Sequence, residues 1–411
     1  MKFFLSFFLS IIGYSVSLAQ TYTLDHYLDL AKNSSPLLKD LKNQVLLSQL
    51  DSLRIRAGLK AQVSGNGGGL FAPVINGYGY AGSITNFQTL DALISVNKTI
   101  IGKQNLNSQL AAIGLQRDSL VNTGKLSELD LKKTIASQYI TAYGSLQQLK
   151  FNQEVVGLLT KEDDLLKKLT RSNVYRQSDY LTFLVTLKQQ QLQLLQARLQ
   201  YKNDYTTLNY LCGIADTGRI ELEEPPLKKS QMPDPATSIF FKKFTLDSLR
   251  FINNRKLVDF SYRPKASIFA DGGYNTDLSN QYYKNLGTSF GFNITVPIYD
   301  GGQRKLQYKR LSLEEETRSN YKVFFDAQFR QQIAQLNQQI NESDNLLNQI
   351  DDQLKYSETL IKVDTRLLET GDLRIADLVL AINNYLTIKN LKTTTSVNKL
   401  QLINQLNYWN R

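Results

Sequence analysis

Short segments in both halves of the chain alternate apolar and polar residues with a period of two, which is typical of a strand with two different faces. The segment from Ala266 to Tyr274 has this pattern, and the segment from Leu90 to Val96 follows it less cleanly. The clearest case lies between Gly287 and Ile298, where every second residue is apolar: Phe290, Phe292, Ile294, Val296 and Ile298. The pattern predicts strands of about ten residues, which suits a transmembrane strand between lipid and water or a half-buried strand of a soluble sheet.

Long stretches with helical periodicity follow the strand segments. The stretch from about Lys305 to about Glu369 contains no proline. Its roughly 65 residues, at about 1.5 Å each, predict a helix near 100 Å long. A narrow apolar stripe runs along it between flanks rich in glutamine and asparagine: Phe325, Phe329, Ile333, Leu336, Ile340, Leu347, Ile350 and Leu354. This stripe favours helices packed side by side around a wet interior, although an exported coiled coil would show the same seam.

The two halves of the chain resemble each other in sequence. The strand segment around Leu90 recurs around Phe290 at an offset of 200 residues, and Asn173 to Asp179 matches Gly371 to Asp377 at an offset of 198. A proline-marked segment separates the halves. We therefore predict two repeats, each with a helix, two strands, a long helix and a further helix, over residues 20–220 and 239–411 with a linker over 221–238.

The first twenty residues have the pattern of a secretory signal peptide. Lys2 precedes an apolar run of about ten residues, and the segment ends with the small residues Ser17 and Ala19 on either side of Leu18. The apolar run is shorter than the roughly 20 residues that a membrane-spanning helix needs. We expect residues 1–19 to be removed by cleavage after Ala19. Because Gln20 rather than a cysteine follows, we do not expect a lipoprotein.

The composition argues against most enzyme classes. The 411 residues include one cysteine, Cys212, and one histidine, His26. These counts exclude a disulfide framework, a multi-thiolate zinc site and a His-pair metal site, and they argue against a catalytic triad. The net charge is +11, but the basic residues are spread along the chain, so we do not expect nucleic-acid binding. The sequence thus predicts a protein that is not an enzyme and has no cofactor or metal site.

Four motifs resemble those of the TolC-like outer-membrane efflux family. The segment from Val296 to Arg304, with Pro297, Gly301 and Gly302, resembles the strand-to-helix junction of that family. Physically, the proline would end the strand and the glycines would let the chain turn into the helix. The other three motifs resemble the mature N-terminus, the start of the second strand pair and the close of the first repeat: Thr23 to Leu38, Arg263 to Ser267 and Leu208 to Gly213. Together they cover essentially the whole mature chain in the family's order.

The resemblance implies a mixed α/β membrane protein. Three copies would form a twelve-stranded β-barrel, with four strands per protomer, continued by a long, internally duplicated α-helical barrel in the periplasm. The implied function is an outer-membrane channel, the exit duct of a tripartite efflux or type I secretion-like export system that conducts passively. Its implied partners are two further copies of the chain, a periplasmic adaptor protein, an inner-membrane pump and outer-membrane lipid.

An alternative from another class is an exported coiled-coil interaction protein without a pore. The two hypotheses differ in what the apolar face of the strands should contact. A channel predicts that this face meets lipid, whereas the coiled-coil alternative predicts that it packs against protein.

The resemblance also assigns residues at two helix–helix turns. One group matches turns that contact the adaptor at the periplasmic tip: Ser172, Asn173, Val174, Gly371 and Asp372. Glycine suits a left-handed helix terminus, and asparagine is the usual second choice. Asp179 and Asp377 match aspartates at the periplasmic aperture, where three copies of Asp377 would form a ring that favours cations. Both aspartates also suit the first turn of a helix, which is the structural alternative.

The aperture departs from the best-known pattern of the family. A second ring aspartate would fall at Leu380, and the positions of bridging tyrosine and arginine residues hold Leu368 and Leu373. We therefore expect that leucines at 368 and 373 contribute to closing the aperture. Arg366 or Arg374 could instead supply a salt bridge to a nearby aspartate: Asp364, Asp372 or Asp377.

Overall fold

The structure is a computed structural model that describes residues 23–81, 88–215, 221–230, 238–278 and 281–410. The expected signal peptide lies outside the described residues, as does the stretch 231–237 of the predicted linker. The described residues form seven α-helices, one 3-10 turn at Tyr282–Lys284 and four strands. The α-helices and strands are α1 Leu24–Ser34, α2 Pro36–Gly58, β1 Gln62–Phe71, β2 Gln88–Ile100, α3 Lys103–Arg171, α4 Gln177–Cys212, α5 Ile239–Ser261, β3 Lys265–Thr276, β4 Leu286–Thr295, α6 Gln303–Thr370 and α7 Ile375–Trp409. A strand pair, a long helix and a shorter helix therefore occur twice in the chain.

The two longest elements are α3, with 69 residues, and α6, with 68 residues. Neither contains proline, and α6 also lacks glycine, so nothing in their sequences interrupts the helical hydrogen bonds. The long helix predicted between residues 305 and 369 is confirmed by α6. None of the described helices contains a stretch that is apolar and long enough to cross a membrane.

The four strands form one antiparallel sheet in the order β1-β2-β3-β4. Pairing of β2 with β3 joins the two halves of the chain, with Ile94 opposite Gly272 and Val96 opposite Ala270. The outer strands β1 and β4 each have ten residues and form the two edges of the sheet. The strands predicted from the alternation of residues are confirmed, and β4 ends at Thr295, two residues before Pro297.

The two faces of the sheet differ in polarity because the register aligns the alternating residues of all four strands. The polar face carries side-chain hydrogen bonds, from Asn66 Nδ2 to Ser95 Oγ at 3.0 Å and from Ser289 Oγ to Asp271 Oδ2 at 3.4 Å. The opposite side, here called the sheet's apolar face, exposes large side chains on every strand: Val63, Phe71, Leu90, Ile94, Ile268, Leu286, Phe290, Phe292 and Ile294. Phe290, for example, is 91% exposed.

The chain divides into two compact units, each built from both halves. The strand-bearing unit comprises residues 36–127 and 235–329, and the helical unit comprises the described parts of 1–35, 128–234 and 330–411. In the strand-bearing unit, Phe241 of α5 makes edge-on contacts with Phe325 and Phe329 of α6, with ring centroids 5.2 and 5.4 Å apart. These contacts pack α5 against α6.

The core of the helical unit contains two main apolar clusters. One cluster packs α1 against α3 and α4 and includes Tyr27, Tyr139 and Leu208. The other joins α3, α4, α6 and α7 near the two helix–helix turns and includes Phe183 and Leu378. This second cluster holds the turns in place.

Candidate functional site

The two helix–helix turns have the same backbone geometry. Asn173 has a φ of 60° and Gly371 has a φ of 82°, so both lie in the left-handed region. Each turn forms the two hydrogen bonds of a Schellman motif, which satisfies carbonyl groups at the end of the preceding helix. The amides of Asn173, Val174, Gly371 and Asp372 donate to the carbonyls of Thr170, Leu169, Leu368 and Leu367, at 3.1, 3.0, 3.2 and 2.9 Å respectively.

The first turn contacts the second through Tyr175 and Val174. The hydroxyl of Tyr175 lies 3.0 Å from the carbonyl oxygen of Leu368 and 2.9 Å from that of Leu373, and it donates to these acceptors. A Cβ atom at Gly371 would lie 3.0 Å from Val174 Cγ1, so the valine occupies the space beside the glycine. Burial raises the pKa of Tyr175, and the nearby carboxylate of Asp372 adds to this effect. The two turns therefore form one docked unit.

Asp179 and Asp377 occupy the first turns of α4 and α7. Arg374 donates two hydrogen bonds to Asp377, from Nε to Oδ2 and from Nη2 to Oδ1, both 2.9 Å long. The Asp377 side chain is 38% exposed and that of Arg374 is 83% exposed. Asp179 is exposed and accepts a hydrogen bond from Ser178 Oγ at 3.3 Å, and within the described residues no cation forms an ion pair with it. The two matched aspartates thus differ in local charge compensation.

Three leucines that lie near Asp377 in the sequence have different environments. Leu368 is fully buried in the cluster that joins α3, α4, α6 and α7, so its side chain contributes to packing. The last turn of α6 faces the core at this position. Leu373 is half-buried. Leu380 is 60% exposed and lies one helical turn after Asp377.

Two carboxyl groups are buried close to the turns, one on each long helix. Glu162 of α3 is 7% exposed, and its Oε1 lies 3.5 Å from Thr365 Oγ1, whereas its Oε2 has no hydrogen-bond partner. Burial raises the pKa of Glu162, and Glu369 raises it further. Asp364 of α6 is also 7% exposed, and burial followed by the charge of Asp377 raises its pKa. Both carboxyl groups therefore retain their protons to a higher pH than exposed carboxyl groups do.

The strand-to-helix junction before α6 uses two glycines in left-handed conformations. Gly301 has a φ of 66° and Gly302 has a φ of 83°. The side chain of Asp300 accepts hydrogen bonds from the amides of Gly302 at 2.8 Å and of Arg304 at 2.7 Å, so it caps the first turn of the helix. The hydrogen bond from the amide of Arg304 contributes most to lowering the pKa of Asp300. Pro297 lies between the end of the strand and this cap.

A charged and aromatic contact fixes the same junction to α5. Arg304 Nη2 lies 2.8 Å from Asp259 Oδ1, and the hydroxyl of Tyr308 donates to the same carboxylate. The hydrogen bond from Tyr308 and then that from Arg304 lower the pKa of Asp259. The start of α6 is therefore attached to the end of α5 by a compensated ion pair.

Sequence reasoning identified the turns, the aspartates and the junction glycines, but it missed Tyr175, Glu162 and Asp300 as contributors. Tyr175 directly follows the residues assigned to the first turn, which is a signal of position but not of contact. Asp300 was part of the junction motif, and its location just before α6 fits a helix cap. Within the described residues, no cluster of three or more His, Cys, Asp or Glu side chains is arranged to hold a metal ion.

No protein-family model matches the chain, and no curated protein sequence matches it. Solved structures do match it over nearly its full length. VceC, an outer membrane protein of Vibrio cholerae, has 12% sequence identity and a TM-score of 0.76, covering 94% of this chain and 96% of VceC. The CmeC outer membrane channel of Campylobacter jejuni has 11% identity and a TM-score of 0.75, covering 94% of this chain and 84% of CmeC.

A third match is the open state of the MtrE outer membrane channel of Neisseria gonorrhoeae, with 12% identity and a TM-score of 0.75. It covers 94% of this chain and 88% of MtrE. The match therefore includes the strand pairs, the long helices and the shorter helices that follow them. The chain has the fold of the TolC-like outer-membrane channels, as its motifs predicted.

Proposed function

We propose that the protein is an outer-membrane exit channel that conducts passively for an export system. The sheet's apolar face carries this proposal. Its large side chains are exposed on all four strands, and an uncovered apolar surface of this kind marks a membrane or protein contact. The polar residues of the opposite face suit a water-filled interior. The coiled-coil alternative predicts protein over the apolar face, and no described residue of this chain supplies it.

The edges of the sheet support assembly from several copies. In hydrocarbon, unpaired amide and carbonyl groups of β1 and β4 would each cost several kcal/mol. Pairing β1 of one copy with β4 of the next removes both edges. Three copies would then close a barrel of twelve strands, which is the arrangement that the resemblance implies.

Two rows of exposed apolar side chains in the helices support the same assembly. The residues recur at spacings of three, four and seven, as in helices that pack side by side. Within the described residues they remain exposed, so a neighbouring copy is their proposed partner. The row on α2 contains Leu46, Leu50 and Leu53, and the row on α4 contains Leu181, Val185, Leu192, Leu195 and Leu199.

The docked turns are the proposed periplasmic end of the channel. The assigned turn residues Ser172, Asn173, Val174, Gly371 and Asp372 are all exposed, which supports contact with a periplasmic adaptor and, through it, an inner-membrane pump. We place Asp377 and Asp179 at the aperture, with Leu373 and the exposed Leu380 beside them. Arg374 compensates much of the charge of Asp377, so Asp179 supplies the less compensated carboxylate.

Location and mass test the proposed function first. We expect the mature chain in the outer-membrane fraction, as a heat-sensitive trimer when it is extracted in mild detergent. A monomer or dimer recovered from the soluble periplasm would overturn the channel and favour the coiled-coil alternative.

Ion selectivity in a planar bilayer tests the aperture. Arg374→Gln should increase cation selectivity because it leaves the Asp377 carboxylate without its partner, and Asp179→Asn should decrease it. Asp352→Asn, at an exposed site about five turns before the end of α6, is the control and should leave the selectivity unchanged. The same ion selectivity in the wild type and all three variants would show that neither aspartate lies at the aperture.

A further inference from the structure

A pocket of about 450 Å³ lies at the helix-side end of the sheet, between the β2–α3 and α5–β3 connections. Three basic residues line this pocket, which is here called the basic pocket: Lys103, Arg263 and Lys265. No acidic residue is among its lining residues, and its apolar walls include Ile100, Ile101 and Phe260. The pocket therefore combines concentrated positive charge with an apolar surface.

The three cations are available for an external anion. Within the described residues, none of them forms an ion pair. The guanidinium carbon of Arg263 lies 4.7 Å from the centroid of the Phe260 ring, a cation–π contact that leaves its N–H donors free to bind an anion at the pocket. Arg304 at the other strand-to-helix junction differs, because Asp259 already compensates it at 2.8 Å.

The pocket adjoins the end of the sheet's apolar face. Ile100, a lining residue, is the last residue of β2 on that face and is 51% exposed. Lys98 lies on the same face opposite Ile268, one step further into the sheet, from where a long side chain can extend toward a polar boundary. A ligand that fits both features carries an anionic head and apolar chains.

The opposite end of the sheet lacks this concentration of charge. Two connections lie at this end. The β1–β2 connection, residues 72–87, contains no lysine or arginine, and its described part exposes Tyr78 and Tyr80. The β3–β4 connection, residues 277–285, contains one lysine, Lys284, and one aspartate, Asp277. The basic residues are therefore concentrated at one boundary of the apolar face, as expected where basic side chains meet lipid phosphates.

We infer that the basic pocket binds the phosphate headgroup of an anionic glycerophospholipid, with its acyl chains along the sheet's apolar face beside Ile100 and Ile268. This inference rests on the proposed function, because it requires the sheet to lie in a membrane. A free phosphate ion shares the headgroup chemistry but has no apolar part to contact the adjoining apolar face. The geometry therefore favours a phospholipid over free phosphate as the ligand.

Native mass spectrometry of the detergent-extracted protein tests the inference with dioleoylphosphatidylglycerol as the probe. The pocket variant combines Lys103→Gln, Arg263→Gln and Lys265→Gln. The control variant removes three charges at exposed lysines away from the pocket, through Lys39→Gln, Lys42→Gln and Lys322→Gln. We expect affinity for this lipid to fall by at least about tenfold in the pocket variant and to change by less than about twofold in the control.

Two competitors identify the ligand class. Dioleoylphosphatidylcholine has the same chains without net charge and should bind much more weakly to the unmodified protein. Millimolar inorganic phosphate should not displace the anionic lipid. Displacement by phosphate, or equal loss of binding in the pocket and control variants, would overturn the inference.

Conductance separates this inference from the proposed function. A conducting outer-membrane channel whose lipid binding is unaffected by the pocket substitutions would overturn the pocket alone. A chain found only in soluble fractions would overturn the proposed function and the pocket with it.

Discussion

The first helix–helix turn and the second have the same backbone but contribute different chemistry to their contact. In the first turn, side chains reach outward, with the hydroxyl of Tyr175 as a donor and Val174 as an apolar surface. The second turn offers the carbonyl groups of Leu368 and Leu373 as acceptors and the open space at Gly371. Two turns with the same backbone geometry thus present complementary surfaces because a few of their side chains differ.

The long helices α3 and α6 also differ at matched positions near the two turns. Glu162, buried on α3, matches the exposed Leu360 of α6 at the offset of 198 residues. Asp364, buried on α6, matches the fully buried Leu166 of α3. Each long helix therefore buries one carboxyl group where its counterpart has a leucine, and the two repeats do not share an interior pattern near the turns.

The largest expected effect comes from exchanging the left-handed residues. Gly371→Ala should weaken the second turn by about 1–2 kcal/mol, because an L-residue is strained at a φ of 82° and its Cβ would press on Val174. Hydrogen exchange of the turn amides measures this local opening. Asn173→Gly is the matched control and should shift opening by less than about 0.5 kcal/mol. Equal responses would show that the two turns are interchangeable.

A smaller effect is expected from removing the hydroxyl that joins the turns. Tyr175→Phe keeps the ring but removes the donor to Leu368 and Leu373, and it should cost about 1 kcal/mol. Exchange should become faster in both turns, because each depends on the other. Tyr356→Phe, at an exposed position on α6, serves as the control. Faster exchange confined to the first turn would contradict the docking of the two turns.

The two strand-to-helix junctions also differ in how the helix that follows is capped. Asp300 caps α6, whereas Ile100 occupies the matching position before α3 and has no acceptor to offer. Asp300→Ala should speed exchange of the first amides of α6 severalfold and leave α3 unchanged, while Asp300→Asn should retain much of the cap. The lowered pKa of Asp300 means that this stabilisation is present above the unfolded-state pKa and is lost as the pH falls through the folded-state value. The same exchange rates in the wild type, Asp300→Ala and Asp300→Asn would show that Asp300 does not cap α6.

The smallest effect concerns the buried carboxyl group of α3. The pKa of Glu162 is raised in the folded protein, so its contribution to the free energy of unfolding is most favourable below the unfolded-state pKa. This contribution is lost as the pH rises through the folded-state pKa. Glu162→Gln should therefore leave the melting temperature unchanged at pH 4 and raise it slightly at pH 8. Leu360→Gln, at the matched exposed position, should show no such pH dependence. Parallel curves for wild type and Glu162→Gln would contradict the assignment.

The sequence was sufficient to predict the elements of the fold. Period-two alternation predicted the strands because their two faces meet different surroundings along the whole length, as in β4. The absence of proline predicted α6, and Gly371 marked a left-handed helix terminus because few other residues tolerate that backbone. These features depend on neighbouring residues and so appear in a local pattern.

The candidate site was less predictable because its contacts join distant parts of the chain. Tyr175 reaches carbonyl groups that lie 193 and 198 residues away, and nothing in the first turn indicates which partner it meets. The burial of Leu368 in the core likewise depends on the rotation of α6 and on the helices packed against it, which the sequence around position 368 does not show. Of the arginines considered near the aperture, Arg374 pairs with Asp377 because three residues along a helix bring their side chains together.

Under the proposed assembly, the open edges of the sheet would make folding of the strands dependent on protein concentration. A lone chain that entered hydrocarbon would leave the amides and carbonyls of β1 and β4 without partners, at a cost that no contact within the sheet offsets. Insertion and assembly should therefore be a single kinetic event, whose rate rises more steeply than the first power of chain concentration. In the proposed assembly the stability of the sheet would be shared among the copies, and dilution of the protein before insertion should slow the formation of the sheet.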